Sequence, residues 1–168
     1  MLVLRPFAFA DEAAALAAHR ELNQDGFDFL GYAWSSTHSW PQTVQLFEDW
    51  ERGLNLPVGY VPACTWAADV DGELVGRTSI RLALTDFLAT RGGHIGYAVR
   101  PEYRRRGYAT EILRQSITAA HARGINRILI TCDDSNVASA TVIEHCGGEL
   151  ETIVDDPIEG RYRRYWIA

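Results

Sequence analysis

Residues 94–110 read His94-Ile95-Gly96-Tyr97-Ala98-Val99-Arg100-Pro101-Glu102-Tyr103-Arg104-Arg105-Arg106-Gly107-Tyr108-Ala109-Thr110. The mostly apolar run 94–99 predicts a strand, which Pro101 stops. A loop of three arginines and a glycine follows, then a helical stripe of apolar or small residues at Ala109, Ile112, Leu113, Ser116, Ile117 and Ala120, closed by Gly124. Such a loop, placed directly before a helix, turns backbone N–H groups toward one point. The helix start adds partial positive charge and the arginines add full charges, so the segment is suited to hold a diphosphate. A merely solvated turn would explain three arginines in a row, but not their position between a strand and a helix.

Downstream, 127–132 predicts a short buried strand, Ser135 or Asn136 caps a helix ending at Gly147-Gly148, and strands over 149–154 and 161–167 meet around Asp155-Asp156-Pro157. Upstream, Asp71-Gly72 between 65–70 and 73–82 is a hairpin signal. Leu2 to Leu4 predicts a first strand, with Asp11 as N-cap of an alanine-rich helix. Residues 26–61 are aromatic and irregular apart from a helix expected from Pro41 to about Arg52. They read as a variable segment facing the substrate, with Tyr32, Trp34 and Trp40 as candidate pocket walls; ordinary core packing is the competing explanation.

At 168 residues the chain has the size of one domain, and 1–168 is taken as such. No apolar run reaches the roughly 20 residues of a membrane helix and no export signal opens the sequence, so a cytoplasmic protein without a membrane partner is expected. Cys64, Cys132 and Cys146 form neither a disulfide framework nor a zinc pattern, and the histidines lack ligand spacing, so no metal is expected. All sixteen basic residues are arginine, which excludes Schiff-base lysine chemistry and a P-loop. Net charge is −6, yet 91–127 holds eight arginines against Glu102 and Glu111. One basic patch on an acidic chain argues for a small phosphate-bearing ligand and against nucleic acid.

The sequence resembles the GNAT superfamily of acyl-CoA N-acyltransferases. Arg104, Gly107 and Ala109 match its loop signature, 95–103 its fourth strand, and Asn136, Ala138 and Gly147 its segment after the fifth strand. The likeness covers most of 66–155. It implies an α/β (α+β) fold with a central mixed, mostly antiparallel sheet of six or seven strands flanked by helices and splayed between strands four and five. It implies an acetyl-CoA-binding core over 94–147: main chain of Ala98 and Val99 on the pantetheine, Arg104, Arg105, Arg106, Gly107, Tyr108, Ala109 and Thr110 on the pyrophosphate, and Asn136 and Ser139 beside the pantetheine arm.

The implied activity is N-acetyl transfer by direct attack of an amine, from a small molecule or peptide, on the acetyl-CoA thioester. His94 stands where many relatives carry a glutamate, and an imidazole can take an ammonium proton near neutral pH. It is the first candidate base; the alternative is a histidine fixed structurally beside Gly92-Gly93. Asp133 and Asp134 are the second candidates. Two departures stand out: Ile143 replaces the tyrosine that protonates the thiolate in many relatives, and Gly148 replaces a common aromatic. The missing tyrosine favours a rival reading as a non-catalytic acyl-CoA-binding sensor. Exposed edge strands near the C-terminus point to a homodimer.

Overall fold

The computed structural model describes residues 1–158 and 160–168. Seven strands, β1 (Leu2–Pro6), β2 (Ala63–Val70), β3 (Glu73–Arg81), β4 (Ile95–Val99), β5 (Ile128–Asp133), β6 (Glu149–Asp156) and β7 (Gly160–Ile167), are flanked by helices α1 (Glu12–Asn23), α2 (Trp40–Glu51), α3 (Asp86–Thr90), α4 (Tyr108–Ala122) and α5 (Val137–His145). They form two sheets rather than one: β1-β2-β3-β4 and β5-β7-β6, with every ladder antiparallel.

The two sheets touch where β4 begins. An isolated bridge joins Gly93 to Ile130, and the His94 N–H donates to the Leu129 carbonyl at 2.7 Å. Gly93 is at φ +63, and a Cβ there would strike the main chain of Leu129, so only glycine lets the backbones meet. Beyond this point β4 has β3 as its sole ladder partner, and its other edge faces the split.

One core lies between α1, α2 and the first sheet and holds Phe7, Phe29, Trp40, Phe47 and Ala67. A second joins α4 and α5 to both sheets through Ile80, Ile95, Leu113, Ile130, Ile143 and Tyr165. Arg100 clamps the end of β4 to α1 by donating to both Glu21 oxygens, at 2.9 and 2.8 Å, and to the Leu74 carbonyl at 3.0 Å.

Several local expectations shift. Asp11 occupies the N-cap position of α1, but its carboxylate is taken by Arg5, at 2.7 and 2.8 Å, and by the Ala8 N–H. Helix α2 starts one residue early because Ser39 and Gln42 form a capping box. α3 was not foreseen; five residues carry too short a pattern, although Thr85 caps it. The oddity at Gly148 has a steric cause, since a Cβ there would strike the side chain and carbonyl of Ile143. Among the described residues no helix is long and apolar enough to cross a membrane.

Candidate active site

A cleft of about 680 Å³ opens at the split, within the usual size of a small-ligand pocket. It wraps the free edge of β4, lined by Tyr97, Ala98 and Val99, and continues along the loop and first turn of α4 through Arg104, Arg105, Gly107, Tyr108, Ala109 and Thr110. The far wall comes from β5 and α5, with Asp133, Asn136, Ala138, Ser139 and Val142, and Leu22, Asp25, Gly26 and Phe27 close one end.

The start of α4 is an anion site by construction. Gly107 sits at its N-cap in the left-handed region, φ 79, preceded by Arg105 at φ 62, and no side chain caps the helix. The first intrahelical bond is Glu111 N–H to the Gly107 carbonyl at 3.2 Å. The first-turn amides therefore need an outside acceptor, and they point with the positive end of the helix dipole. Arg104 donates to the Val99 carbonyl at 3.2 Å and pairs with Asp25 at 2.7 Å across the cleft mouth. Arg106 differs from its neighbours: it turns back to the Glu102 carbonyl at 2.9 Å and over the Tyr103 ring, away from the cleft lining.

Asn136 caps α5 through its Oδ1, which accepts from the Ser139 N–H at 3.0 Å. Ser139 in turn meets the Tyr97 hydroxyl at 3.0 Å, and burial pushes that phenol up to about 12. A phenol with its pKa raised this far stays protonated throughout the neutral range. Ile143 is fully buried in the core and offers the cleft nothing.

His94 is buried, and its Nδ1 accepts from the main-chain N–H of Leu129 at 2.9 Å. An amide can only donate, so the neutral ring carries its proton on Nε2. Burial, then the nearby Arg81 charge, lowers its pKa. Taking up a proton would mean surrendering the Leu129 bond, which is the geometry of a structural pin. Asp133 lines the cleft with its carboxylate paired to Arg91 at 2.7 Å. Asp134 is turned to Arg161 and Arg163, at 3.0 and 2.7 Å, and lies outside the cleft lining. Among the described residues no group of three or more His, Cys, Asp or Glu side chains could hold a metal.

Of the aromatic candidates, Trp40 is 3% exposed and packs in the core with its Nε1 on the Ala8 carbonyl, so it walls no pocket. Tyr32 is exposed and lies against Tyr60, with ring centroids 5.5 Å apart, and Trp34 lies over His19 at 4.6 Å. Asp25 and Phe27 were missed by the sequence reading. Both follow α1, and only the fold brings that turn to the arginine loop.

Solved structures share this architecture. RimJ of Mycobacterium smegmatis in complex with a CoA disulfide superposes with a TM-score of 0.72 at 20% identity, over 99% of this chain and 81% of that one. RimL, a ribosomal L7/L12 alpha-N-protein acetyltransferase in complex with coenzyme A, gives 0.73 at 20% identity, over 99% and 93%. An acetyltransferase from Agrobacterium tumefaciens str. C58 gives 0.64 at 20%, over 99% and 90%. At such identity the likeness speaks for the fold. No curated protein matches the sequence. The sequence itself matches the acetyltransferase (GNAT) domain family over residues 1–149; the chain thus belongs to the GNAT family and is an acetyl-CoA-dependent N-acetyltransferase.

Proposed function

We propose that the enzyme acetylates the α-amine of a peptide or amino acid, with acetyl-CoA lying in the cleft at the free edge of β4. The pyrophosphate takes the uncapped amides of Tyr108, Ala109 and Thr110 together with Arg104 and Arg105, and the pantetheine amides pair with the open main chain of Ala98 and Val99 as an added strand would. Asn136 and Ser139 form the facing wall.

The observation that carries the choice of acceptor is the His94–Leu129 bond, which leaves the cleft without a free imidazole base. The α-amine of a peptide, with a pKa near ~8, is roughly a tenth neutral at pH 7, whereas a lysine amine near ~10.4 is neutral to only a few parts in ten thousand. A site lacking a strong base suits the α-amine. Its residual proton passes to water or to Asp133. RimL, whose fold this chain shares, is named for α-N-acetylation of a protein.

The amine nitrogen attacks the thioester carbonyl, the C–N bond forms, the C–S bond breaks, and the thiolate is protonated. Tyr97, hydrogen-bonded to Ser139, is the proton donor in place of the tyrosine that Ile143 displaces. Burial raises the Cys132 and Cys146 thiols and brings Cys64 to about 12, so all three stay protonated and a cysteine-acyl intermediate is disfavoured. The test is thiol release with a peptide bearing a free α-amine and no lysine, against an N-terminally blocked peptide with one free lysine. Transfer to the first alone supports the reading; equal transfer to the second overturns it.

A further inference from the structure

The face of β3 that looks away from α4 carries two arginines, Arg77 and Arg81, that form no ion pair among the described residues. Gly76, Thr78 and Ile80 are buried, with Thr78 accepting from Ser116 of α4 at 2.8 Å. The alternate residues Arg77, Ser79 and Arg81 are only partly buried, and the β4 residues opposite the first two are Ala98 and Gly96. Cross-strand partners share a face, so these small side chains leave room above the sheet for the two guanidiniums.

Arg77 donates to the Asp28 carbonyl at 3.1 Å and lies 5.4 Å from the Phe27 and 5.8 Å from the Phe29 ring centroids. Its Nε is buried with no hydrogen-bond partner. Arg81 donates to the carbonyls of Gly92 and Gly93, both at 3.1 Å, and its guanidinium lies over Gly96. Asp28 adds no ion pair: its carboxylate accepts from the Gly31 N–H and faces His19. Burial and the Arg81 charge lower Arg77 to about 10, and the Asp28 carboxylate, which acts on Arg77 without forming an ion pair, offsets only part of that.

Partly buried guanidiniums are ordinarily paired, since an uncompensated charge out of water is costly. Here a chain of net charge −6 leaves two on one face of β3 without an ion pair among the described residues. We infer that Arg77 and Arg81 bind a carboxylate of the acceptor, so that the amine acetylated by this enzyme belongs to an anionic molecule. The inference rests on the α-amine reading above and narrows it. The carboxylate comes either from a free amino acid or from an acidic side chain near a peptide N-terminus.

Matched acceptors test this with the full-length enzyme and saturating acetyl-CoA. One arm compares amino acids with their carboxamides; the other compares amidated peptides with glutamate or glutamine at the second position. The expected result is kcat/KM at least tenfold higher for the anionic member of one arm, and that arm names the source. In Arg77→Gln and Arg81→Gln the anionic-to-neutral preference should collapse toward one, mainly through KM, and Arg81→Lys should restore part of it. Equal use of anionic and neutral acceptors, or a preference that survives both substitutions, overturns the inference. Titrating the same pairs into the CoA complex reads affinity without turnover. Preferential binding of the anionic member with no acetyl transfer keeps the anion site and sinks the α-amine reading instead; equal binding overturns the anion site.

Discussion

His94 Nδ1 accepts from the Leu129 N–H at 2.9 Å while the His94 N–H donates to the Leu129 carbonyl at 2.7 Å. One residue of the first sheet thus satisfies both main-chain groups of one residue in the second, at the apex from which β4 and β5 diverge. The split that admits the thioester begins at this pair, so the imidazole sets the geometry of the site while its proton stays where it is.

Removing the ring should therefore cost stability before chemistry. His94→Ala leaves the buried Leu129 amide without an acceptor, an expected loss of about 1–3 kcal/mol in denaturant unfolding. His94→Asn, whose side-chain oxygen can accept from that amide, should keep most of the stability and turnover. A His94→Asn variant that is folded but inactive would restore the imidazole to the chemistry.

The same bond predicts a pH signature. The folded-state pKa of His94 lies below the unfolded value of about 6.5. Below that value the unfolded chain binds the proton more readily than the folded one, so stability is full above about pH 6.5 and declines as pH falls toward the folded pKa. Unfolding curves of wild type and His94→Ala should differ near neutrality and converge on acidification, whereas His94→Asn matches wild type near neutrality and outlasts it in acid.

Gly107 at φ 79 lets the first-turn amides of α4 converge. Gly107→Ala forces a side chain into the left-handed region, at a cost of about 1–2 kcal/mol, and turns those amides aside. Calorimetry should show acetyl-CoA binding at least tenfold weaker in a protein that still folds.

Asp25 holds Arg104 at 2.7 Å with both side chains about half exposed, so the pair adds little stability. Its carboxylate competes with an incoming diphosphate for the same guanidinium. Asp25→Asn should tighten acetyl-CoA binding several-fold and leave the melting temperature nearly unchanged; unchanged or weaker binding would show that Arg104 does not reach the phosphates.

Tyr97→Phe removes the half-buried phenol bonded to Ser139 and should lower kcat tenfold or more at pH 7 with little change in KM for acetyl-CoA. A wild-type kcat in this variant would leave thiolate protonation to solvent.

The arginine loop and the strand and helix around it were legible in the sequence because every cue is local: a proline stop, a glycine needing positive φ, a helical stripe. A cap at Ser135 or Asn136 was legible from its place before the helix, and the division between the fourth and fifth strands through the family resemblance. The roles of His94 and Arg77 were not. A histidine beside two glycines looks like a base until the partner of its Nδ1 is known, and that partner is 35 residues away. Arg77 and Arg81 look like ordinary strand polarity until the fold shows that no described carboxylate forms an ion pair with them. Trp40, offered as a pocket wall, went to the core because Phe7 and Phe47 cover it, a packing that no local spacing reveals.

The most direct measurement is calorimetry of acetyl-CoA against S-acetylpantetheine, which lacks the diphosphate, on the wild-type protein. If the arginine loop grips the diphosphate, acetyl-CoA binds at least a hundredfold more tightly, and Arg104→Gln combined with Arg105→Gln removes most of the difference. Equal affinity for the two ligands, or a difference that survives the double substitution, would contradict it.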